Sequence, residues 1–384
     1  MKEVSAREKS VPKGVIQKLL KIAAEKPEII SLGPGEPDFE TPKPILRKVN
    51  GIIRNHKKNR VTHYAAPHGL SELRDSLAKK LKKENGIKGG DILVSTGSQS
   101  GLFSAFLSCL DPGDEVIVPN PGYMAYVPGI DLVNAKPVYV SCLEKDGFAI
   151  DPDKIKKKIT RKTRVIMLNT PSNPTGTVLS KKLLEEIADI AVDKDLYVFS
   201  DEAYEKLVYD DNKHVSIGSF NGMRDYVVSF FTFSKSYAMC GFRLGYCHGP
   251  KDVIKAMGTS IHYMTISAPH ISQRLGIEAL KISDRYVNNM NKEYDKRRKY
   301  IVNRLNEMDL KTTMPGGTFY AFSNIKKYSN NSSKFADMLL KKAKVAVVPG
   351  TEFGRYGEGF VRFSYATDLK LIKKAMDRIE KVLN

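Results

Sequence analysis

The sequence predicts an α/β protein built on a mainly parallel sheet, followed by a smaller α+β unit. Three observations carry this. Short, continuous apolar runs recur between residues 91 and 233 and read as strands buried on both faces. Several of them alternate with segments of helical periodicity. Nearly every unusual polar cluster directly follows one of these strands, and ligands of such sheets bind beyond the strands' carboxyl ends. The clusters should therefore converge on one crevice.

The elements follow in order. Val15–Glu25 reads as a short helix, and Ile29–Phe39 as a strand entering a Gly/Pro-rich turn. Gly33 and Gly35 in that turn leave backbone N–H groups free to face a ligand. A helix is expected at about 42–58. The loop His63–Leu70, with Tyr64 in it, leads to a helix at Ser71–Glu84, which Ser71 should cap and whose apolar face is Leu73, Leu77 and Leu81. Strands are expected at Ile92–Val94, Val116–Val118, Val138–Val140, Val165–Leu168, Leu196–Ser200 and Val227–Phe233. A helix should run from Gln99 to Leu110, and another at 181–194 with Leu183, Leu184, Ile187, Ile190 and Ala191 on one stripe. From about 250 to 309 helical periodicity dominates, and Lys292–Asn306 is strongly basic and amphipathic. The smaller unit comprises the stretches Pro315–Phe322, Val345–Val348 and Gly359–Ala366, then a helix from about 368.

Composition narrows the function. The 384 residues are 41% hydrophobic and 27% charged, ordinary for a soluble enzyme. The formal net charge of +19 is scattered over lysine-rich helical faces. Its densest run, Lys154–Arg164, has no interleaved aromatics and no recognition-helix, RNP or zinc-finger signature, so no nucleic-acid partner is expected. No apolar run reaches membrane-spanning length, so no membrane partner is expected either. The residues MKEVSAREKSVPKG lack an apolar core, which predicts a cytoplasmic protein. Cys109, Cys142, Cys240 and Cys247 form no C-x-x-C pair and read as packing residues; no metal site is expected.

The polar clusters have a specific chemistry. Lys235 directly follows a buried strand, and a desolvated lysine is a nucleophilic amine able to condense with an aldehyde. Arg243 lies eight residues on, between Gly241 and Gly245. An amine, the Ser234 hydroxyl and a fixed cation suit a phosphorylated aldehyde cofactor. Thr96-Gly97-Ser98-Gln99 opens a helix, where N–H groups and hydroxyls can hold a phosphate. Asp201, after another buried strand, needs a cationic partner, and a pyridinium nitrogen would serve. Tyr204 and Asn173 are candidate donors to a phenolate oxygen, and Tyr123 offers a stacking face. Arg362 suits bidentate binding of a substrate carboxylate, the alternative being an ion pair within the protein.

Together these stretches resemble the class I and II aminotransferases, pyridoxal 5′-phosphate (PLP) enzymes of fold type I. The carriers are LGPGEPDF (32–39), HYAAPHGLSELR (63–74), STGSQ (95–99), PNPGYMAY (119–126), NTPSNPTG (169–176), SDEAYE (200–205), TFSKSYAMCGFRLGY (232–246), PGGTFY (315–320) and VRFSYA (361–366). The resemblance implies a large domain with a mostly parallel seven-stranded sheet at 46–290 and a small α+β domain at 291–384, to which residues 1–45 contribute. It implies that Lys235 carries PLP and shuttles the substrate proton, that Asp201 pairs with the ring nitrogen, and that Tyr204 and Asn173 bond the ring oxygen. Tyr123 would stack on the ring. Gly97, Ser98, Gln99, Ser234, Arg243 and also Thr232 would hold the phosphate. Tyr64 would reach the phosphate of the neighbouring subunit, which implies a homodimer with shared active sites. Arg362, Gly35 and Asn173 would hold the substrate α-carboxylate.

The implied reaction moves the α-amino group of an L-amino acid to a 2-oxo acid, 2-oxoglutarate being the expected acceptor, by a ping-pong mechanism. Aspartate, an aromatic amino acid, alanine and LL-diaminopimelate are the candidate donors. Two features depart from the pattern: Phe242 stands where relatives usually have tryptophan, and Ser98 where one aspartate-specific subgroup has a lysine. The alternatives are a PLP-dependent β-lyase on the same scaffold, and a non-catalytic ligand sensor. The sensor would need an attached DNA-binding domain, for which the stretch before Ile29 leaves no room.

Overall fold

The computed structural model describes residues 3–5, 8, 9 and 25–384. The expected helix at Val15–Glu25 lies outside the described residues apart from Glu25. The chain organises around one seven-stranded sheet formed by β2 (Asp91–Ser95), β3 (Glu115–Asn120), β4 (Lys136–Ser141), β5 (Thr163–Asn169), β6 (Tyr197–Asp201), β7 (Val227–Thr232) and β8 (Gly245–Gly249), in the order β2-β8-β7-β6-β5-β3-β4. Neighbours run parallel from β7 through to β4, and β8 runs antiparallel to both β7 and β2. Six strands thus point one way and one points back. Except in the edge strand β4, which is half-buried, the strands' middles are buried because helices cover both faces, which is why they are continuous apolar runs rather than alternating ones.

The six runs expected as strands are all in this sheet. The seventh strand, β8, is not visible as one in the sequence, because its residues GYCHG carry little strand propensity. The reason is a close approach: a Cβ on Gly245 would meet the Ser98 backbone nitrogen at 2.4 Å. Packing against the turn after β2 has selected glycine over a β-branched residue.

A correction to the helices concerns Ser71. The helix Ser71–Lys80 is capped at Leu70 and takes no side-chain cap, so Ser71 is its first residue rather than its cap. The Leu70 N–H is instead satisfied by Gln273 Oε1 at 2.8 Å. By contrast, the helix Lys181–Asp193 starts as its sequence suggests, with the Ser180 hydroxyl accepting from the Leu183 N–H and Leu184, Ile187, Ile190 and Ala191 buried.

Beyond the large sheet, β9 (Tyr320–Asn324), β11 (Val348–Pro349) and β12 (Phe360–Ser364) form an antiparallel sheet in the order β11-β12-β9. The short strands β1 (Ile30–Ser31) and β10 (Val345–Ala346) pair in parallel. Ile30 and Leu32 share a core with Phe319, Val345, Phe363 and Ile372 of this C-terminal part. The helix Arg285–Glu307 runs uninterrupted past residue 290. Its basic stretch is not simply a solvated face, for Arg297 and Arg298 are buried and ion-paired. Among the described residues no helix is long and apolar enough to cross a membrane, and none of their His, Cys, Asp and Glu side chains cluster as a metal site would.

Candidate active site

Parallel strands bring their carboxyl ends to one edge, and the sheet's registry decides what meets there. Asn169 ends β5 opposite Asp201, which ends β6 opposite Phe230 of β7. Three residues past β7 comes Lys235, in a single helical turn that Thr232 caps by accepting from the Ser234 N–H at 3.1 Å. Because β8 runs back, Arg243, just before it, returns to the same edge. A cavity of about 490 Å³ opens here. Of the residues expected from sequence, Gly35, Ser98, Gln99, Tyr123, Asn173, Asp201, Tyr204, Ser234, Lys235, Arg243 and Arg362 line it, as does Thr232. Gly97 stands behind Arg243 at the start of the helix Ser98–Cys109. Tyr64 is not in this cavity: it is 75% exposed on the outer surface.

Asp201 is the buried anion of the site. Tyr126 Oη donates to its Oδ2 at 2.7 Å and the Ala203 N–H to its Oδ1 at 3.2 Å. Burial pushes its carboxyl up to about 6 against those two hydrogen bonds, which favour the charged form. No ion pair answers it among the described residues, so a cation placed beside it would be strongly bound. Tyr123 lies edge-on to Tyr126 at 5.3 Å between ring centroids, and burial pushes its phenol up to about 12.

Arg362 is the buried cation. Its Nη1 donates to Asn173 Oδ1 at 2.8 Å and its Nη2 to the Gly33 carbonyl at 2.5 Å. Its guanidinium lies 4.2 Å from the Tyr320 ring centre and 4.9 Å from that of Phe353. Burial lowers its proton affinity, and the groups that counter this are tyrosines rather than carboxylates. Its Nε is buried without a partner. The ion pair within the protein that would have explained Arg362 as structural is absent among the described residues. Asn173 has its carbonyl oxygen committed to Arg362, so its amide NH₂ is what remains to donate. Tyr204 Oη meets Tyr320 Oη at 2.9 Å, both buried, and Tyr204 is held well above its usual pKa by burial first and by Tyr320 second.

One end of the cavity gathers groups that suit an anion. The helix Ser98–Cys109 takes no side-chain cap at Gly97, so its first N–H groups are free. Arg243 is held at φ 48° and ψ 57°, a left-handed conformation that costs a non-glycine residue energy and recurs at functional sites. Lys235 Nζ, half-buried, donates to the Gly35 carbonyl and lies 5.8 Å from the Phe319 ring centre.

Three lining or supporting residues escaped the sequence reading. Tyr126 stands one helical turn after Tyr123, a spacing that could have placed both on one side. Tyr320 reaches the site through the β9–β12 pairing, which leaves no local signal. Cys240, read as packing, lines the cavity; its thiol is raised by burial and is no nucleophile.

Comparison with known proteins agrees with this geometry. The family described as aminotransferase class I and II matches residues 27–379. An aspartate aminotransferase of Pyrococcus abyssi is 44% identical over 96% of this chain and 95% of its own. An aromatic-amino-acid aminotransferase of Thermococcus litoralis is 40% identical, covering 99% and 98%. The crystal structure of an aromatic aminotransferase from Pyrococcus horikoshii superposes with a TM-score of 0.90 at 42% identity, covering 95% of this chain and 98% of that one. With its fold, with Lys235 at the carboxyl edge of the large sheet and Arg362 of β12 lining the same cavity without a carboxylate partner among the described residues, the chain belongs to the class I and II aminotransferases.

Proposed function

We propose that this aminotransferase holds PLP in the cavity and uses Arg362 to grip the α-carboxylate of each substrate. The observation that carries the reading is Arg362 itself, a cation 1% exposed, facing the cavity with no carboxylate partner among the described residues. PLP fits the donor set. A ring nitrogen cation would answer Asp201, the uncapped helix start with Ser98, Gln99, Ser234, Thr232 and Arg243 would take the phosphate, Tyr123 would cover the ring, and Tyr204 and the Asn173 amide would bond its oxygen. When bound, the cofactor supplies an aldehyde that condenses with amines and a ring that accepts carbanion charge.

The chain's own residues do the rest. Arg362 and the loop at Gly35 fix the substrate carboxylate, which orients the Cα–H bond. Lys235 Nζ would take the Cα proton and return it at the carbon that had been the cofactor's aldehyde carbon, acting as general base and then general acid. Asp201, ionised beside the ring nitrogen, would keep that nitrogen protonated. The donor would leave as a 2-oxo acid with its amino group retained by the cofactor, and the acceptor, 2-oxoglutarate, would then enter and receive it, giving ping-pong kinetics. Replacing Arg362 by lysine loses the planar fork, so KM for both substrates should rise about 100-fold, near 3 kcal/mol, with the cofactor's absorbance intact. Unchanged KM values in steady-state kinetics would remove Arg362 from the carboxylate site.

For the donor, we favour an uncharged, aromatic side chain over aspartate. Among the described residues the cations lining the cavity are Lys235, Arg243 and Arg362, each with a role above, while Glu36, which also lines it, would repel a second carboxylate. A donor panel with 2-oxoglutarate should place phenylalanine or tyrosine above aspartate in kcat/KM by about tenfold or more. The reverse order would mean that a cation from outside the described residues, or from another subunit, reaches the site. Pyruvate released without any acceptor would instead indicate a β-lyase.

We also propose a homodimer in which Tyr64 serves the neighbour's phosphate. Supporting it, Tyr64 and Tyr263 are 75% and 84% exposed, Met264 and Ile266 are exposed as well, and the Ala65 N–H to Ser267 Oγ bond ties the two loops together. We divide the chain at 46 and 291 into a large domain and a small one that residues 1–45 join. The β1–β10 pairing supports this, with the helix Arg285–Glu307 as the continuous link.

A further inference from the structure

The transamination reading leaves the basic stretch Lys292–Asn306 without a task, although one of its arginines reaches toward the site. Arg297 is buried, its side chain 6% exposed. Its Nη1 donates to Asp38 Oδ1 at 2.7 Å and its Nε to Glu293 Oε1 at 3.3 Å. Its guanidinium lies 5.0 Å from the Phe39 ring centre, and Phe39 meets Tyr294 edge-on at 5.2 Å. Asp38 and Phe39 end the loop that starts at Gly33.

That loop forms one wall of the cavity. Its Gly33 carbonyl accepts from Arg362 and its Gly35 carbonyl from Lys235. It is also pressed close: a Cβ on Gly35 would meet the Tyr320 hydroxyl at 2.0 Å. No regular secondary structure holds residues 32–42 in place. The loop's entry is fixed by the sheet, with the Leu32 N–H donating to Ala346 O at 2.8 Å and the Ser364 N–H to Leu32 O at 2.7 Å. Its exit is fixed by the Asp38–Arg297 pair and the Phe39–Tyr294 contact. Between these ends it is held by single contacts to Arg362, Lys235 and Tyr320 rather than by a hydrogen-bond ladder, so freeing the exit loosens the segment that those residues meet.

We propose that Arg297 is a positioning residue for the substrate: through Asp38 it holds the Gly33–Phe39 loop against Arg362 and Lys235. The proposal rests on the reading of Arg362 and Gly35 as the substrate carboxylate site. The pair touches neither cofactor nor substrate, so its loss acts through the carboxylate grip of the loop and Arg362. That grip is made equally in ground and transition states, so loosening it raises KM and leaves kcat nearly unchanged.

The test uses the full-length holoenzyme and its cofactor-free form. Asp38→Ala and Arg297→Gln should each raise KM for amino donor and oxo acid about tenfold or more, with kcat changed less than about threefold. Cofactor absorbance and affinity should stay at wild-type values. Arg297→Lys, which keeps the charge, should recover most of the lost KM. Arg304→Gln, breaking the ion pairs to Glu380 and Asp377 on the same helix, serves as the control and should leave KM unchanged. In the cofactor-free protein, hydrogen exchange should quicken over residues 32–39 in Asp38→Ala and stay slow across the β5–β7 strands. A folded Asp38→Ala protein with wild-type KM overturns the proposal. So does exchange that quickens throughout the sheet with a parallel fall in cofactor affinity, since that marks a merely structural pair. A wild-type protein unable to transaminate would overturn the functional reading instead, and loop exchange would still decide whether Arg297 anchors the loop.

Discussion

Replacing Lys235 by alanine should abolish transamination while leaving the protein folded. The expected loss in kcat is at least about 1,000-fold, the scale of a removed general acid–base group, and larger if covalent attachment is also lost. Among the described residues the site offers no substitute: the other cations lining the cavity are Arg243 and Arg362, and a guanidinium neither gives up its proton nor attacks an aldehyde at ordinary pH. Lys235 is half-buried, at the end of β7 in a one-turn helix, so truncation leaves little strain and a small void open to the cavity. Borohydride reduction followed by peptide mass mapping checks the assignment. The cofactor's mass should appear on the Lys235 peptide of the wild type and on no peptide of the variant. Turnover at the wild-type rate, or labelling of a different lysine, would remove Lys235 from the mechanism.

Asp201→Asn should have two opposite effects, one on the cofactor-free protein and one on the holoenzyme. Burial raises the Asp201 carboxyl to about 6, above its unfolded value near 3.9. The folded state therefore binds this proton more tightly than the unfolded chain. Its stabilising share is complete below the unfolded pKa and is lost as pH rises through the folded one. Two pKa units correspond to about 3 kcal/mol, so at pH 8 the cofactor-free wild type carries a buried charge costing about that much. Asparagine keeps the shape without the charge, and its amide can still meet Tyr126 and the Ala203 N–H. Thermal unfolding of the cofactor-free proteins should thus show the variant more stable at pH 8, with the gap closing toward pH 5. With cofactor the order should invert, because the variant offers no anion to the ring nitrogen. A gap independent of pH, or a variant less stable at pH 8 without cofactor, would contradict the account.

The large sheet was legible because its strands are buried on both faces and so stand out as unbroken apolar runs. Asp201 and Lys235 were legible for the same reason: a charge at the end of such a run has no structural excuse. Gly245–Gly249 was not, since its composition answers to the helix start packed against it rather than to strand propensity. The short strands β1, β10 and β11 have two residues each, too few to show any period. Tyr126 and Tyr320 look like ordinary core aromatics until tertiary pairing turns their hydroxyls toward Asp201 and Tyr204. Arg297 was visible only as one member of a basic run, and its partner Asp38 lies at the other end of the chain.

The reversal of β8 has a consequence for assembly. Thr232 pairs with Gly245, so Ser234, Lys235 and Arg243 sit in one loop closed by its own antiparallel strands. That half of the cavity wall has short sequence separation and needs little loop-closure entropy to form. The other half, from Gly97, Tyr123, Asn173 and Asp201, exists only once strands far upstream have docked in order. Tight cofactor capture during refolding should therefore report completion of the whole sheet, arriving later than any signal from the β7–β8 pair alone.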